Sequence, residues 1–132
     1  MYGKTYKHQK DDNFKAFLDS LGIGEDKVQA ILNSSPSQKL DKNGDDYVLT
    51  TIDSLKTKEL KFKNGVEFDE NVAENVNAKT TFTIDGDVLK QVQKFPDGRS
   101  LFIERKYTDN TLVVTLKTSF WDGTAHRHYV AA

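Results

Sequence analysis

The chain has 132 residues, a formal net charge of −1 and no cysteine. This length suits one domain with a core or a modest internal cavity, and the lack of cysteine excludes a disulfide framework and thiol chemistry. Acidic and basic residues are interspersed, so the sequence lacks the basic patch that nucleic-acid binding requires. No apolar run reaches the length of a membrane span or of a signal peptide's apolar region. We therefore expect a single cytoplasmic domain over residues 1–132.

A strand and a helix are predicted at the start of the chain. Residues Met1–Gln9 are rich in Tyr and Thr, which favours an opening β-strand. An apolar stripe then follows the i, i+3, i+4, i+7 spacing of an amphipathic helix; it consists of Phe14, Phe17, Leu18 and Leu21. Gly22 suits the C-terminal end of this helix. Three residues ahead of the stripe are candidate N-caps: Asp11, Asp12 and Asn13.

A second short helix is predicted to begin at Gly24-Glu25-Asp26, which places acidic residues at its positive end. Pro36 lies beyond the end of this helix. Its apolar stripe consists of Val28, Ile31 and Leu32. The two helices form a helix–turn–helix at about residues 13–35. Mixed charge and an acidic helix start argue against DNA binding by this pair.

From Ser37 onward the sequence predicts only β-strands, separated by pairs of turn residues. Asn-Gly and Asp-Gly between alternating runs are strong hairpin signals. The turns are Asn43-Gly44, Asn64-Gly65, Asp85-Gly86, Asp97-Gly98, Asp109-Asn110 and Asp122-Gly123. The predicted strands are Gln38–Lys42, Tyr47–Asp53, Lys56–Lys63, Val66–Glu70, Lys79–Ile84, Val88–Lys94, Ser100–Tyr107, Thr111–Thr118 and Thr124–Ala131.

Successive hairpins without an intervening helix predict an antiparallel meander. About ten consecutive strands hide their edges when the sheet closes on itself. The predicted fold class is therefore all-β, with a ten-stranded antiparallel up-and-down β-barrel and the helical pair as a lid over one open end.

The last predicted strand places a guanidinium and a phenol on one face. Side chains alternate across a strand, so Arg127 and Tyr129 point to the same side. Arg105 likewise interrupts an otherwise apolar strand face. A charge in an apolar cavity is costly unless it is paired. If these faces point inward, they predict a site for a buried anion such as a carboxylate; if they point outward, they are solvated surface.

Taken in order, these segments resemble the intracellular lipid-binding proteins, the fatty-acid-binding family, over essentially the whole length. The matching segments are Asn13-Phe14, Leu21-Gly22-Ile23-Gly24, Phe68-Asp69-Glu70, Thr83-Ile84-Asp85-Gly86-Asp87-Val88-Leu89, Val92-Gln93-Lys94, Ile103-Glu104-Arg105, Leu112-Val113-Val114 and Arg127-His128-Tyr129. Their order and spacing are more specific than any one of them. The segment Ser119-Phe120-Trp121-Asp122-Gly123-Thr124-Ala125 is most similar to insect midgut members.

The resemblance implies a ten-stranded β-clam whose helical lid covers an internal cavity, and a non-enzymatic carrier of a long-chain fatty acid. It also implies that Arg105, Arg127 and Tyr129 hold the carboxylate. Tyr6 stands where vertebrate members usually have Trp, which is a packing variation. The last hairpin is about two residues longer than in vertebrate members, so the sequence leaves open which arginine touches the ligand.

The ligand's acyl chain and the partners give further expectations. Phe14, Phe17 and Val28 either meet the acyl chain at the lid or only pack the helices onto the barrel. Gln38 and Lys39 lie just beyond Pro36, and either one is expected to add a polar contact through water. We expect a monomer that needs no cofactor and contacts membranes transiently through its helical lid.

Two alternatives remain open at this point. The ligand could be a retinoid or another hydrophobic carboxylic acid, since a guanidinium favours an acid over an alcohol. An esterase would need a nucleophile and a base, and the three histidines show no Ser or Asp partner at a catalytic spacing. No metal site is expected, because His126 and His128 lie on the strand face opposite Arg127 and no cysteine completes a site.

Overall fold

Ten β-strands and two short helices make up the described part of the chain, which covers residues 1–53, 56–73 and 75–132 in this computed structural model. The strands are β1 Thr5–Asp12, β2 Ser37–Asn43, β3 Asp46–Ile52, β4 Thr57–Lys63, β5 Phe68–Ala73, β6 Val76–Asp85, β7 Val88–Lys94, β8 Ser100–Tyr107, β9 Thr111–Thr118 and β10 Ala125–Ala131. The helices are α1 Phe14–Ser20 and α2 Glu25–Leu32, both between β1 and β2. The predicted all-β class with one helical pair is confirmed.

All ten strands belong to one antiparallel sheet, in the order β4-β3-β2-β1-β10-β9-β8-β7-β6-β5. Strands that follow one another in the chain are neighbours in the sheet, except β4 and β5, which lie at its two ends; β1 in addition pairs with β10. The sheet curls into a nearly closed barrel, which confirms the up-and-down architecture. Closure leaves only β4 and β5 as edges, so the described part of the sheet has one seam without a hydrogen-bond ladder.

The prediction of a hairpin at Asn64-Gly65 is wrong. This turn joins β4 to β5, but β5 pairs with β6 and not with β4. The N–H of Gly65 donates to the carbonyl of Phe82 at 2.8 Å, and Oδ1 of Asn64 accepts from the N–H of Ile84 at 2.9 Å. The turn is therefore fastened to β6, and it directs β5 away from β4.

The first strand also differs from its prediction. It ends at Asp12, so Asp11 and Asp12 lie in β1 and are not helix caps. Asn13 occupies the cap position of α1 in a left-handed conformation, with φ of 59°, which Asn tolerates better than most residues. Its side chain makes no cap hydrogen bond; Nδ2 donates instead to the carbonyl of Thr124 at 3.1 Å. Asn13 thus turns the chain sharply from β1 into the lid and ties that corner to the start of β10.

Two strands in the middle of the chain are displaced from their predicted bounds. The segment predicted as Val66–Glu70 forms β5 at Phe68–Ala73, because the Asn64-Gly65 turn takes up the residues before it. The strand predicted as Lys79–Ile84 extends over Val76–Asp85, since its early residues pair with β5.

The apolar interior has two parts. Aromatic rings stack at the side of the barrel formed by β3 to β6, with centroid distances of 5.3 Å for Tyr47 and Phe62 and 4.3 Å for Phe62 and Phe82. At the lid, the buried residues of the helices are Phe14, Phe17, Leu18 and Val28. Neither helix of the described chain is long and apolar enough to cross a membrane.

Candidate ligand-binding site

Arg105 of β8 extends into the barrel interior. Its Nε donates to Oε1 of Gln38 at 3.2 Å and its Nη1 to Oε1 of Gln91 at 2.8 Å. Gln38 lies on β2, which three strands separate from β8 in the sheet. A hydrogen bond between such distant strands must cross the interior. The structure therefore brings together Arg105 and Gln38, both of which were predicted site residues, and adds Gln91.

The guanidinium of Arg105 has neutral amide oxygens as its hydrogen-bond acceptors. Among the described residues it forms no ion pair with a carboxylate. Burial lowers the pKa of Arg105 from its ordinary value, because desolvation disfavours the charged form. A buried charge without a counter-charge is costly, and a carboxylate is the group that a guanidinium fork binds best. Arg105 is therefore the cation of this interior that is best placed to take an anion.

Arg127 is also buried, but a carboxylate of the chain already pairs with it. Its Nε donates to Oδ1 of Asp11 at 2.9 Å, and Nε2 of His8 lies 2.7 Å from the same oxygen. The inward position of Asp11 follows from a bulge in β1, where the register with β10 shifts between His8 and Lys10. Because of the extra residue, Asp11 points to the same inner face as His8. It lies directly across from Arg127 on the neighbouring strand.

Sequence reasoning missed Asp11 and His8 as site residues. Asp11 was predicted to be a helix cap, and no partner was assigned to His8, whose ring lies 2.7 Å from the Asp11 carboxylate. A bulge changes which residues of a strand point inward, and no turn residue marks this one. The sequence did contain one indication of this pairing, the two consecutive acidic residues Asp11 and Asp12. One of them, Asp11, lies across from Arg127.

A cation–π contact joins Arg127 to the lid. The guanidinium carbon lies 4.1 Å from the ring centroid of Phe14. Phe14 stacks on Phe17 at 6.0 Å, and Phe17 meets the ring of Trp121 edge-on at 6.1 Å. The predicted lid residues Phe14 and Phe17 are thus buried and connect the lid to the polar site. Val28 is buried on α2, and its part in ligand binding stays a prediction.

Two tyrosines add phenol groups near the arginines. Tyr129 is buried beside His8, with 5.5 Å between ring centroids. Its phenol lies close enough to Arg105 to oppose, in small part, the lowering of the pKa of Arg105 by burial. Tyr107 is buried as well, and its hydroxyl has no hydrogen-bond partner in the described structure. Nη2 of Arg127 is the other buried side-chain polar atom of the described residues without a partner. Both are donors that a carboxylate or a water molecule can satisfy.

Burial is the main cause that raises the pKa of Tyr107 to about 12 from its usual 10.0. The folded state therefore keeps this proton at pH values where the unfolded chain loses it, and stability falls as pH rises from 10 through 12. We expect this group to contribute about 2–3 kcal/mol below pH 10. Urea unfolding at stepped pH should show a smaller alkaline loss for Tyr107→Phe than for the wild type. An identical alkaline loss of stability in both proteins would contradict the raised pKa of Tyr107.

A second cluster of polar side chains lies next to Arg105. It surrounds Glu70 of β5, which is 4 % exposed. Its Oε1 accepts from the hydroxyl of Thr80 at 2.8 Å and from the side-chain amides of Gln93 at 3.0 Å and Gln91 at 3.5 Å. Its Oε2 accepts from Nζ of Lys58 on β4 at 3.2 Å. Gln91 therefore connects the two polar groups, and the pair of Lys58 and Glu70 spans the seam between β4 and β5.

The polar cluster around Glu70 could have been predicted from the sequence of β7. Gln91 and Gln93 alternate with apolar residues on β7, so polar side chains occupy inward positions there. A cavity of about 430 Å³ beneath the lid includes Gln93 in its wall. Apolar residues form much of the rest: Leu21, Ile23, Val72, Val76, Leu101 and Phe120. The polar interior is thus continuous with an apolar space at the lid end of the barrel.

Comparisons with known proteins agree with this architecture. The profile of the lipocalin / cytosolic fatty-acid binding protein family matches residues 3–128. Fatty acid-binding protein 1 of Manduca sexta is 42% identical over 129 residues, which cover 98% of this chain and 97% of that protein. The crystal structure of a fatty-acid-binding protein from the same insect superposes with a TM-score of 0.90 at 39% identity and covers 98% of each chain.

A more distant structure has the same fold. The Schistosoma mansoni fatty acid binding protein, solved in complex with arachidonic acid, has a TM-score of 0.89 at 26% identity and covers 98% of this chain and 94% of that one. Profile, sequence identity and fold thus agree over nearly the full length, as the order of the sequence segments predicted. The chain belongs to the lipocalin / cytosolic fatty-acid binding protein family.

Proposed function

We propose that this protein is a cytoplasmic carrier that binds a long-chain fatty acid non-covalently inside its barrel, as a monomer and without catalysis. The observation that carries the proposal is the buried guanidinium of Arg105, whose hydrogen-bond acceptors within the described parts of the chain are the neutral amide oxygens of Gln38 and Gln91. The names of its relatives support the same ligand class, and a fatty acid occupies one of the similar structures.

The carboxylate is the part of the ligand that the polar site recognises. Arg105 supplies the positive charge, and a guanidinium–carboxylate pair forms short charge-assisted hydrogen bonds. Tyr129 and Nη2 of Arg127 are neighbouring donors for the second oxygen. Burial strengthens these interactions because the interior screens charge less than water does.

The acyl chain supplies most of the binding free energy. Each buried methylene contributes ~0.8 kcal/mol, so a chain of about fifteen methylenes contributes about 12 kcal/mol before ordering costs are subtracted. The cavity beneath the lid offers apolar wall for this chain, including Leu21, Val76 and Phe120. The polar site then distinguishes an acid from an ester or an alcohol of the same length.

The test compares three ligands with one chain length on the wild-type protein. Calorimetric titration with hexadecanoic acid, its methyl ester and hexadecanol should show one-to-one binding that is strongest for the acid. Native mass spectrometry of the protein as purified should show a bound acid, and the mass identifies its class, including a retinoid acid if one is present. Equal affinity for acid and ester would overturn the proposal, and so would turnover of the ester.

A further inference from the structure

Asp11 determines the charge that the barrel interior presents to its ligand, and this inference rests on the proposed function. We infer that Asp11 is a specificity-determining residue: by neutralising Arg127 it leaves the interior with one uncompensated positive charge. The site then selects lipids whose headgroup carries one negative charge over those that carry two.

The inference begins with a count of charges. Besides His8, which shares the Asp11 oxygen, five acidic or basic side chains of the described residues point into the barrel: Asp11, Lys58, Glu70, Arg105 and Arg127. Glu70 pairs with Lys58 at 3.2 Å, and Asp11 pairs with Arg127 at 2.9 Å. Arg105 alone keeps a charge without a counter-charge among these residues. A single carboxylate completes the balance.

A second negative charge on the ligand has no such partner. Among the described residues, the inward arginine and lysine side chains besides Arg105 are Arg127 and Lys58, which already pair with Asp11 and Glu70. The Asp11 carboxylate also repels an added anion, and burial makes this repulsion stronger than it would be in water. A dianionic headgroup therefore enters with one charge unpaired, which a protein interior disfavours.

The chain offers a matched control at the next position. Asp11 lies opposite Arg127 on the inner face with 20 % of its side chain exposed, whereas Asp12 faces solvent with 73 % exposed. Asp11→Asn and Asp12→Asn change the net charge of the protein by the same amount. Only the first changes the charge inside the barrel. Any effect of overall charge is therefore common to both variants.

The experiment titrates the wild type and both variants at pH 8 with hexadecanoic acid, hexadecyl sulfate and hexadecyl phosphate. A phosphate monoester is a dianion at this pH because its second pKa is about 6. The sulfate has the tetrahedral shape of the phosphate with a single charge, so it separates charge from shape. We expect the wild type to prefer the acid and the sulfate. Asp11→Asn should raise the affinity for the phosphate relative to the sulfate by about tenfold, and Asp12→Asn should leave the ratio unchanged.

A second pair of variants tests the same charge count if Asp11→Asn does not fold. Arg127→Gln leaves Asp11 unpaired and the interior neutral, so hexadecanoic acid should bind about tenfold or more weakly. The double variant Asp11→Asn/Arg127→Gln restores the single positive charge and should recover most of this affinity. Replacement of a whole buried pair by neutral groups is often tolerated, so the double variant should fold.

The outcomes separate the two proposals. The inference is wrong if the phosphate-to-sulfate ratio moves no more in Asp11→Asn than in Asp12→Asn, or if the single and double Arg127 variants bind hexadecanoic acid equally. In both cases the wild type still binds the acid and the proposed function stands. Failure of the wild type to bind any of the three ligands would overturn the proposed function and this inference with it.

Discussion

Arg105→Ala lowers the affinity for a long-chain fatty acid by up to about a hundredfold and changes the affinity for its methyl ester far less. The variant removes the guanidinium that the described carboxylates leave unpaired. A hydrogen bond to a charged group contributes ~1.5–3 kcal/mol, which sets the size of the loss. The ester has no charge to lose, and its acyl chain is buried as before. Calorimetric titration of both ligands against wild type and variant measures the difference.

Lys106→Ala is the matched control for this change. Lys106 is the next residue of β8, and strand alternation places its side chain on the outer face of the barrel, where it is exposed. Its removal should leave both affinities within a factor of two or so of the wild type. If Arg105→Ala weakens acid and ester equally, the arginine supports the barrel and does not recognise the headgroup.

Glu70→Ala should lower the free energy of unfolding by about 3–5 kcal/mol, the effect of removing one partner from a buried polar network. The carboxylate accepts hydrogen bonds from Thr80, Gln91, Gln93 and Lys58. Its loss leaves buried donors unsatisfied and removes the ion pair across the seam between β4 and β5. Urea unfolding at neutral pH, followed by circular dichroism, gives the free energy directly.

Two other variants show whether the network or the charge is responsible. Asp69 directly precedes Glu70 in β5, but its side chain is 72 % exposed and pairs with Lys79 on the surface. Asp69→Ala should change stability by less than about 1 kcal/mol. Glu70→Gln keeps one acceptor oxygen, so its loss of unfolding free energy should lie between those of Glu70→Ala and Asp69→Ala. Equal effects of Glu70→Ala and Asp69→Ala would show that the buried network does not stabilise the barrel.

The barrel was predictable from the sequence because its turns are local. An Asn-Gly or Asp-Gly pair fixes a reversal within a few residues, and nothing distant is needed to recognise it. The exception shows the limit of this reasoning. Asn64-Gly65 has the same composition as the Asn43-Gly44 hairpin between β2 and β3, yet β6 captures its hydrogen-bonding groups. No local pattern encodes that choice.

The site was predictable only in part, for a related reason. Alternation within one strand correctly placed Arg127 and Tyr129 on one buried face, and the family resemblance singled out Arg105. Which arginine carries an unpaired charge depends on strands far apart in the sequence. The bulge in β1 decides that Asp11 faces Arg127, and the curl of the sheet brings Gln38 to Arg105. Register and curvature are properties of the assembled sheet.

The position of β1 between β2 and β10 has a consequence for how the molecule folds. Its pairing with β10 joins residues 116 positions apart at Asp11 and Arg127. Contacts of such long sequence separation form slowly, since most of the chain's freedom must be lost before they are gained. During synthesis β10 emerges after the other nine strands, so β1 lacks its partner on that side until all ten strands have emerged. A folding intermediate in which β10 has not yet paired with β1 therefore lacks the ion pair between Asp11 and Arg127.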